Sequence, residues 1–402
     1  MPLYRNTYLL AANLLVSFLS GTLFWIVASR LFAPDEIGTA NAFLAPTIFL
    51  STLLLMGANH GLLRFSGEIE KSPTLLYSLL WVTILLSAAG SIIGALAFLL
   101  PGFVHRAFDN LFVSVGLYLV IIVSSTIWTV CEAAFVSLRA PVKLFFRNLV
   151  FGVSRLALLF PLAAFGQAGL LLAYSGGVLL AALLSLDLVR RETKTPLSDF
   201  FTLNHPLLGK ALSFALPNHL ANILGSIPSM VLPLIVFNLL GAETNGYFSL
   251  AWTMAMIART VLFAASSTLL SEGVRDMRLL RENRFHTLGF LLGVVGLTVL
   301  PMLVFPRLLL SILGTRYVEA NQLALPLLAL SILPNVFTTI FIANERIHLR
   351  NGSVILYCLV TCILSVALPL PGAVYFGYNG FIAAYLISQV MLGLLVIPFL
   401  FR

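Results

Sequence analysis

Ionisable side chains are scarce in this sequence. Only 9% of its 402 residues are charged, and the whole chain holds 15 acidic residues and 6 histidines. So thin a supply leaves little from which to assemble an acid–base pair or a metal centre. G-x-S-x-G, H-E-x-x-H, D-x-D and P-loop patterns are all missing. Neither an enzyme nor a cofactor protein is expected, and without an ATPase motif any transport work must come from a proton, sodium or membrane-potential gradient or from the substrate's own gradient. Cysteine is also rare. Cys131, Cys358 and Cys362 lie in apolar stretches, and the last two, four residues apart, have no His or carboxylate beside them, so packing is their expected role. Long loops are lacking too: the longest connection, residues 190–210, carries Thr-Pro-Leu-Ser-Asp and Asn-His-Pro pieces and reads as a linker.

Hydrocarbon fills the remainder. Hydrophobic residues make up 60% of the chain and its mean hydropathy is +1.03, far outside the soluble globular range. Apolar stretches long enough to cross a hydrocarbon core of roughly 30 Å fall at about 7–29, 38–62, 74–100, 111–136, 148–166, 168–189, 211–240, 246–270, 286–305, 320–343, 352–372 and 379–400. An all-α polytopic membrane protein of about twelve transmembrane helices is expected. The first stretch is too long for a signal-peptide core and lacks a small-residue cleavage site, so it reads as a retained helix.

The net charge of +8 is a topology signal. Lys and Arg gather on alternate loops, with Arg139, Lys143 and Arg147 on one expected cytoplasmic connection and Arg275, Arg278, Arg281 and Arg284 on another, whereas Arg30, Arg106, Arg307 and Arg316 fall outside. Both termini are then cytoplasmic. Spread over several loops, these charges form no interleaved patch for nucleic acid, and the Arg275–Arg284 run reads as an anchor on anionic lipid.

The chain also repeats itself. Asn13-Leu-Leu-x-Ser17-x-x-Ser20, running on to Arg30-Leu-Phe-Ala-Pro-Asp35-x-x-Gly38, returns as Asn222-Ile-Leu-x-Ser226-x-x-Ser229, running on to Asn238-Leu-Leu-Gly-Ala-Glu243-x-x-Gly246. Phe165-Gly-Gln-Ala-Gly169 likewise returns as Phe376-Gly-Tyr-Asn-Gly380. Two pseudo-equivalent six-helix lobes follow: 1–189, a cytoplasmic linker at 190–210, and 211–402. Duplicated membrane proteins commonly bind substrate between their repeats.

Polar residues within the spans are the candidate site. Asn13, Ser17 and Ser20 share one helix face, and Asn222, Ser226 and Ser229 share the matching one. They suit either the walls of a hydrated cavity or hydrogen bonds across packed helices. Pro217, Pro228 and Pro233 should bend the seventh span. Arg259, deep in the eighth span, reads as a cavity-facing cation for an anionic headgroup, with an ion pair or a snorkelling side chain as the alternatives. Arg155 lies at a depth similar to Glu132 and not far from Asp187, where a structural pair is as good a reading as a headgroup contact. His60 and Arg64 share a face at the inner entrance, and Arg30 sits at an outer mouth beside Asp35 and Glu36. The first, second, third, fifth and seventh spans contain no acid, which disfavours proton- or sodium-coupled export of cationic drugs.

Two stretches carry a resemblance. Asn13 through Ala28-Ser-Arg-Leu-Phe-Ala-Pro-Asp-Glu-Ile-Gly38, and Leu313-Gly-Thr-Arg-Tyr-Val-Glu-Ala-Asn321 with Leu323 to Leu330, resemble the polysaccharide-transporter branch of the MOP flippase superfamily, the Wzx-type flippases. The resemblance implies a MATE-like fold and alternating access in a bacterial inner membrane. It implies movement of an undecaprenyl-pyrophosphate-linked oligosaccharide (O-antigen, capsule or exopolysaccharide unit) to the outer leaflet, with the polysaccharide polymerase and chain-length machinery as partners. It also implies a cationic cavity, with Arg259 at a position matching an eighth-helix arginine of lipid II flippases. A MATE-like drug exporter and a membrane enzyme of polysaccharide assembly are the alternatives.

Overall fold

The computed structural model describes residues 2–99, 110–195, 206–275, 284–348 and 350–400. Arg278 and Arg281 of the basic run, Arg106, Arg402 and residues 196–205 of the linker lie outside the described residues. Every regular element among the described residues is helical, because a backbone surrounded by lipid must satisfy its own hydrogen bonds.

The helices are α1 (Pro2–Leu31), α2 (Pro34–Leu54), α3 (Ala58–Arg64), α4 (Ser66–Lys71), α5 (Thr74–Leu99), α6 (Leu111–Ser137), α7 (Pro141–Leu162), α8 (Gly166–Thr193) and α9 (Leu208–Leu240). There follow α10 (Ala242–Arg275), α11 (Arg284–Val304), α12 (Pro306–Ser311), α13 (Thr315–Asn321), α14 (Ala324–Leu330), α15 (Asn335–Ile347), α16 (Asn351–Ala367) and α17 (Pro369–Leu400). Nine stretches among the described residues are long and apolar enough to span a membrane. One of them, Pro141–Thr193, contains both α7 and α8. Adding the shorter apolar stretches Val16–Leu31 and Asn351–Ala367 brings the described spans to the expected twelve.

The duplicated F-G-x-x-G element is duplicated in conformation. Gly166 has φ 57°, ψ −139° and Gly377 has φ 65°, ψ −150°, a region that side chains with a Cβ avoid. The second glycine of each motif is there for close approach: a Cβ on Gly169 would overlap the Leu162 carbonyl, and one on Gly380 would overlap Phe376. At Gly377 the backbone leaves the helical region inside α17, so two helical segments meet there at the break expected between 372 and 379.

Two expected spans are interrupted. The second is broken at Leu55–Gly57, where Met56 and Gly57 have positive φ, before α3 resumes. The tenth is divided into α13, α14 and α15, with turns at Gln322–Leu323 and Ser331–Pro334. The fifth begins at Pro141, seven residues before the apolar stretch that announces it. By contrast α9 runs unbroken through Pro217, Pro228 and Pro233, each of which removes one backbone hydrogen bond.

Packing divides the chain into one unit of residues 1–226 and another of 227–402, a division that falls inside α9 just before Pro228. In the first unit α1 lies along α7, α7 along α8, and α6 contacts both α5 and α8. In the second, α10 packs on α11 and α14, while α17 contacts α14, α15 and α16. Small residues set the first unit's spacing. A Cβ on Gly177 would lie 2.7 Å from the Cβ of Arg155 and 3.2 Å from its Cα.

Gly177→Ala should therefore cost roughly 1–3 kcal/mol by overpacking, read as a melting temperature lowered by several degrees in detergent. Gly289→Ala, whose added methyl meets nothing within 4 Å, should leave the melt unchanged or raise it. Equal melts for the two variants would show that the α7–α8 seam is not close-packed.

Candidate functional site

The polar face of α1 meets α7. Asn148 donates through Nδ2 to Asn13 Oδ1 at 2.6 Å and to Ser17 Oγ at 2.9 Å. The Asn148 carboxamide is itself held from the other side, its Oδ1 accepting from Nε (2.9 Å) and Nη2 (2.7 Å) of Arg147. Arg147 is 0% exposed; it also donates to the Trp128 carbonyl at 2.8 Å and to Glu132 Oε2 at 3.1 Å, and its guanidinium lies 3.7 Å from the centre of the Trp128 ring. A chain of polar contacts thus runs from α6 through α7 to α1. Of the two readings left open for Asn13 and Ser17, the structure supports hydrogen bonding across packed helices.

This arrangement corrects two expectations. Arg147 is no loop residue, since α7 starts early enough to enclose it. The cation facing Glu132 is Arg147 and not Arg155. The register carried a signal for this: α6 and α7 form a hairpin through Leu138–Ala140, and Glu132 and Arg147 stand at nearly equal distances from that turn. Asp187 is likewise occupied locally, by Arg190 at 3.7 Å and Arg191 at 2.8 Å.

Arg155, two turns further along α7, is 6% exposed. Its Nη2 reaches Ser20 Oγ at 3.4 Å, and its guanidinium lies 4.2 Å from the Phe151 ring centre and 5.0 Å from that of Phe24. No carboxylate lies within ion-pair distance of it among the described residues.

His60, Arg64 and Asn222 come together where α3 meets the first half of α9. His60 Nε2 and Asn222 Nδ2 are 2.9 Å apart, Arg64 lies 5.6 Å from the centre of the Phe214 ring, and His219 Nε2 is 3.2 Å from the Leu53 carbonyl oxygen, left accessible by the break after α2. The close approach depends on Gly57, where a Cβ would stand 2.8 Å from that of Ala215. Asn222 is exposed and Ser226 bonds back to the Ile223 carbonyl at 2.8 Å. The two duplicated faces therefore differ: that of α1 is held by α7, whereas Asn222 and Ser229 on α9 are exposed. Arg30 is exposed in the last turn of α1, where its charge suits the helix dipole, while Glu36 accepts from the Ala33 amide at 2.8 Å to cap α2.

Arg259 occupies the centre of α10, and the residue is exposed. No carboxylate pairs with it among the described residues. Its charge is within electrostatic reach of Tyr357 on α16 and Tyr385 on α17, whose rings are packed against Phe341 at 5.4 Å and Trp252 at 5.2 Å. An exposed arginine fork can receive phosphate oxygens, whereas the two phenols are themselves buried. No cluster of three His, Cys, Asp or Glu side chains suited to a metal occurs among the described residues.

The 313–321 motif is structural. Asn321 is 0% exposed, donates to the Tyr247 carbonyl at 2.9 Å and accepts from the Tyr378 hydroxyl at 2.7 Å. Tyr317 stacks edge-on against Tyr247 at 5.5 Å. The motif therefore ties the start of α10 to the kink of α17.

No family model matches the sequence, and no curated protein does. Solved structures do match. A multidrug-resistance MATE transporter in an inward-facing conformation superposes with a TM-score of 0.76 at 15% identity, over 98% of this chain and 97% of its own. The lipid II flippase MurJ, inward closed, gives 0.76 at 13% identity over 98% and 87%. A MOP superfamily transporter from Pyrococcus furiosus, described as having a binding pocket of reverse polarity, gives 0.64 at 13% over 99% and 94%. The chain thus shares its fold with these solved MATE and MurJ structures, and the nine long apolar stretches among its described residues fit a multi-pass membrane protein.

Glu132→Gln would leave the enclosed Arg147 without its counter-charge. Because the Glu132 side chain is 45% exposed, the cost should fall below the 3–5 kcal/mol of a fully buried broken pair, at roughly 1–3 kcal/mol. A detergent melt lowered by several degrees is the expected result; an unchanged melt would mean that Asn148 and Trp128 hold Arg147 by themselves.

Proposed function

We propose that this chain is a flippase that carries a polyprenyl-pyrophosphate-linked oligosaccharide across a bacterial inner membrane by alternating access. The observation that carries the reading is Arg259: an exposed cation at the centre of a long span, with no carboxylate partner among the described residues. In a low-dielectric span an unneutralised arginine is costly unless it serves an anion. A pyrophosphate offers several acceptor oxygens to the guanidinium fork, while the prenyl tail can stay in lipid. Asn222 and Ser229, exposed on α9, would offer hydrogen bonds to sugar hydroxyls; His60 and Arg64 would contact the headgroup on entry.

MATE and MurJ match the fold equally well, so the charge distribution must choose between a drug exporter and a lipid-linked-sugar flippase. A cation exporter needs an available acid. In the first unit Glu132 is taken by Arg147 and Asp187 by its own helix's arginines; in the second, the buried Glu345 lies 3.6 Å from Arg350. An inside-negative potential favours outward movement of an anion by roughly 2.3 kcal/mol per charge per 100 mV, so the membrane potential can contribute to the drive alongside a proton or sodium gradient. A polymerase and chain-length machinery would then receive the product.

Arg259→Ala should remove charge-assisted hydrogen bonds worth about 1.5–3 kcal/mol, lowering export by roughly 10- to 100-fold with insertion intact. Mass spectrometry of polyprenyl-linked sugars checks this: an intact oligosaccharide-lipid should accumulate inside cells carrying the variant or lacking the gene. An unchanged lipid profile, with cationic-drug efflux that needs Glu132 and not Arg259, would favour the exporter. A new covalent sugar-lipid product formed by purified protein would make it an enzyme.

A further inference from the structure

Arg307 stands where α11 leaves its apolar stretch and α12 begins. Phe305 has φ −124°, ψ 43°, outside the helical region, and Pro306 opens α12, so the chain turns at the end of the span. The next apolar stretch opens with α14 at Ala324, and α14 packs on α11, which brings the Gln322–Leu323 turn beside this corner. Between them lies a cleft of about 630 Å³ lined by residues 303–308, Gln322 and Leu323. That volume falls within the roughly 300–1,000 Å³ of sites that hold a small molecule.

The cleft has two chemical zones. Val304, Phe305, Leu308 and Leu323, all exposed, form an apolar wall with Leu303. Arg307 and Gln322 form the polar zone. Arg307 is exposed and donates from Nη2 to Gln322 Oε1 at 3.2 Å, which leaves its other N–H groups available. No carboxylate lies within ion-pair distance of it among the described residues. Gln322 accepts through Oε1 and so keeps its Nε2 hydrogens as donors. A guanidinium fork with an amide donor beside it matches the oxygens of a phosphate, and the wall next to it matches hydrocarbon.

We propose that this cleft binds one bilayer phospholipid with an anionic headgroup, its phosphodiester on Arg307 and Gln322 and the upper part of an acyl chain along the apolar wall. Three features choose that occupant. The first is position: at the end of a span Arg307 is level with lipid headgroups, whereas Arg259, at the centre of α10, is not. The second is the wall, which a water-soluble phosphate ester would leave uncovered. The third is charge. No acid lines the cleft, so the ammonium of a choline or ethanolamine headgroup finds no partner there, and the net negative charge of a glycerol headgroup is the better match. Contact with hydrocarbon is common to any lipid-facing surface; selectivity for the headgroup is what Arg307 adds.

The test is photolabelling of the purified full chain in detergent with a phosphatidylglycerol that carries a diazirine on one acyl chain, followed by mass spectrometry of the labelled peptides. Label is expected on residues 303–308 or Leu323. Unlabelled phosphatidylglycerol should compete it away; phosphatidylcholine of the same chains and glycerol phosphate should not. Arg307→Ala should lower labelling there about tenfold through the lost charge-assisted hydrogen bonds, and Arg307→Lys should restore part of it. Arg316→Ala, which removes an exposed arginine outside the cleft, should leave labelling unchanged. Equal competition by phosphatidylcholine would reduce the site to hydrocarbon contact, competition by glycerol phosphate would make it a site for soluble phosphate esters, and labelling that survives in Arg307→Ala would remove the cation from it; each of these overturns the proposal. The competition arms use wild type alone, so they decide the question even if Arg307→Ala fails to insert. None of these readouts depends on the transported substrate.

Discussion

The burial of Arg147 is the constraint around which the first unit is arranged. A guanidinium withdrawn wholly from solvent needs an acceptor for each N–H and an opposite charge, and here three elements meet the demand: Glu132 and the Trp128 carbonyl on α6, the Trp128 ring beneath, and Asn148 on its own helix. Asn148 can accept from Arg147 only with its carboxamide in one orientation, which turns its Nδ2 toward α1 and fixes Asn13 and Ser17. One buried charge thereby sets the register of α1 against α7 and of α7 against α6. It also removes Glu132 from the supply of groups that could bind a cation.

Much of the fold was legible because it rests on residue types with local consequences. The twelve apolar stretches and the paired F-G-x-x-G turns follow from hydrophobic length and from glycine geometry. The breaks at Met56–Gly57 and Ser331–Pro334 were not legible, since the residues around them are as apolar as those within a helix. The first is explained by tertiary contact, as Gly57 lets α9 approach. Of the candidate site, the polar residues themselves could be found but their partners could not. Asn13, Ser17 and Ser20 form the same pattern whether they face water or another helix, and only the presence of Asn148 and Arg155 opposite them decides. In the sequence Arg147 groups with the loop charges, because a basic residue near a helix end looks the same whether it snorkels outward or turns inward.

The duplication is of backbone more than of chemistry. Gly166 and Gly377 adopt nearly the same dihedral angles, and Asn13 and Asn222 open matching sequence patterns, yet one asparagine is 5% exposed and hydrogen-bonded across to α7 while the other is exposed beside His60. The equivalent of the broken second span is α10, which is continuous for 34 residues. Glycines diverge as well. Gly152 and Gly177 bring helices into contact, whereas a Cβ on Gly289, Gly293 or Gly296 of α11 would meet nothing within 4 Å.

This divergence bears on how charge is used. Paired cations such as Arg147 add specificity of packing and little binding capacity, because every guanidinium nitrogen already donates and the group is closed off from solvent. Arg155 is buried, and its Nε makes no hydrogen bond. Arg259 combines a central position on a long span with exposure and, among the described residues, no carboxylate partner. Moving a lipid-borne pyrophosphate requires a counter-cation that can be engaged and then released, and a cation locked to a protein carboxylate would have to break that pair at every cycle. An arginine kept free of acids avoids that cost, which is why the scarcity of acidic residues in the spans is as much a part of the proposed mechanism as the arginine itself.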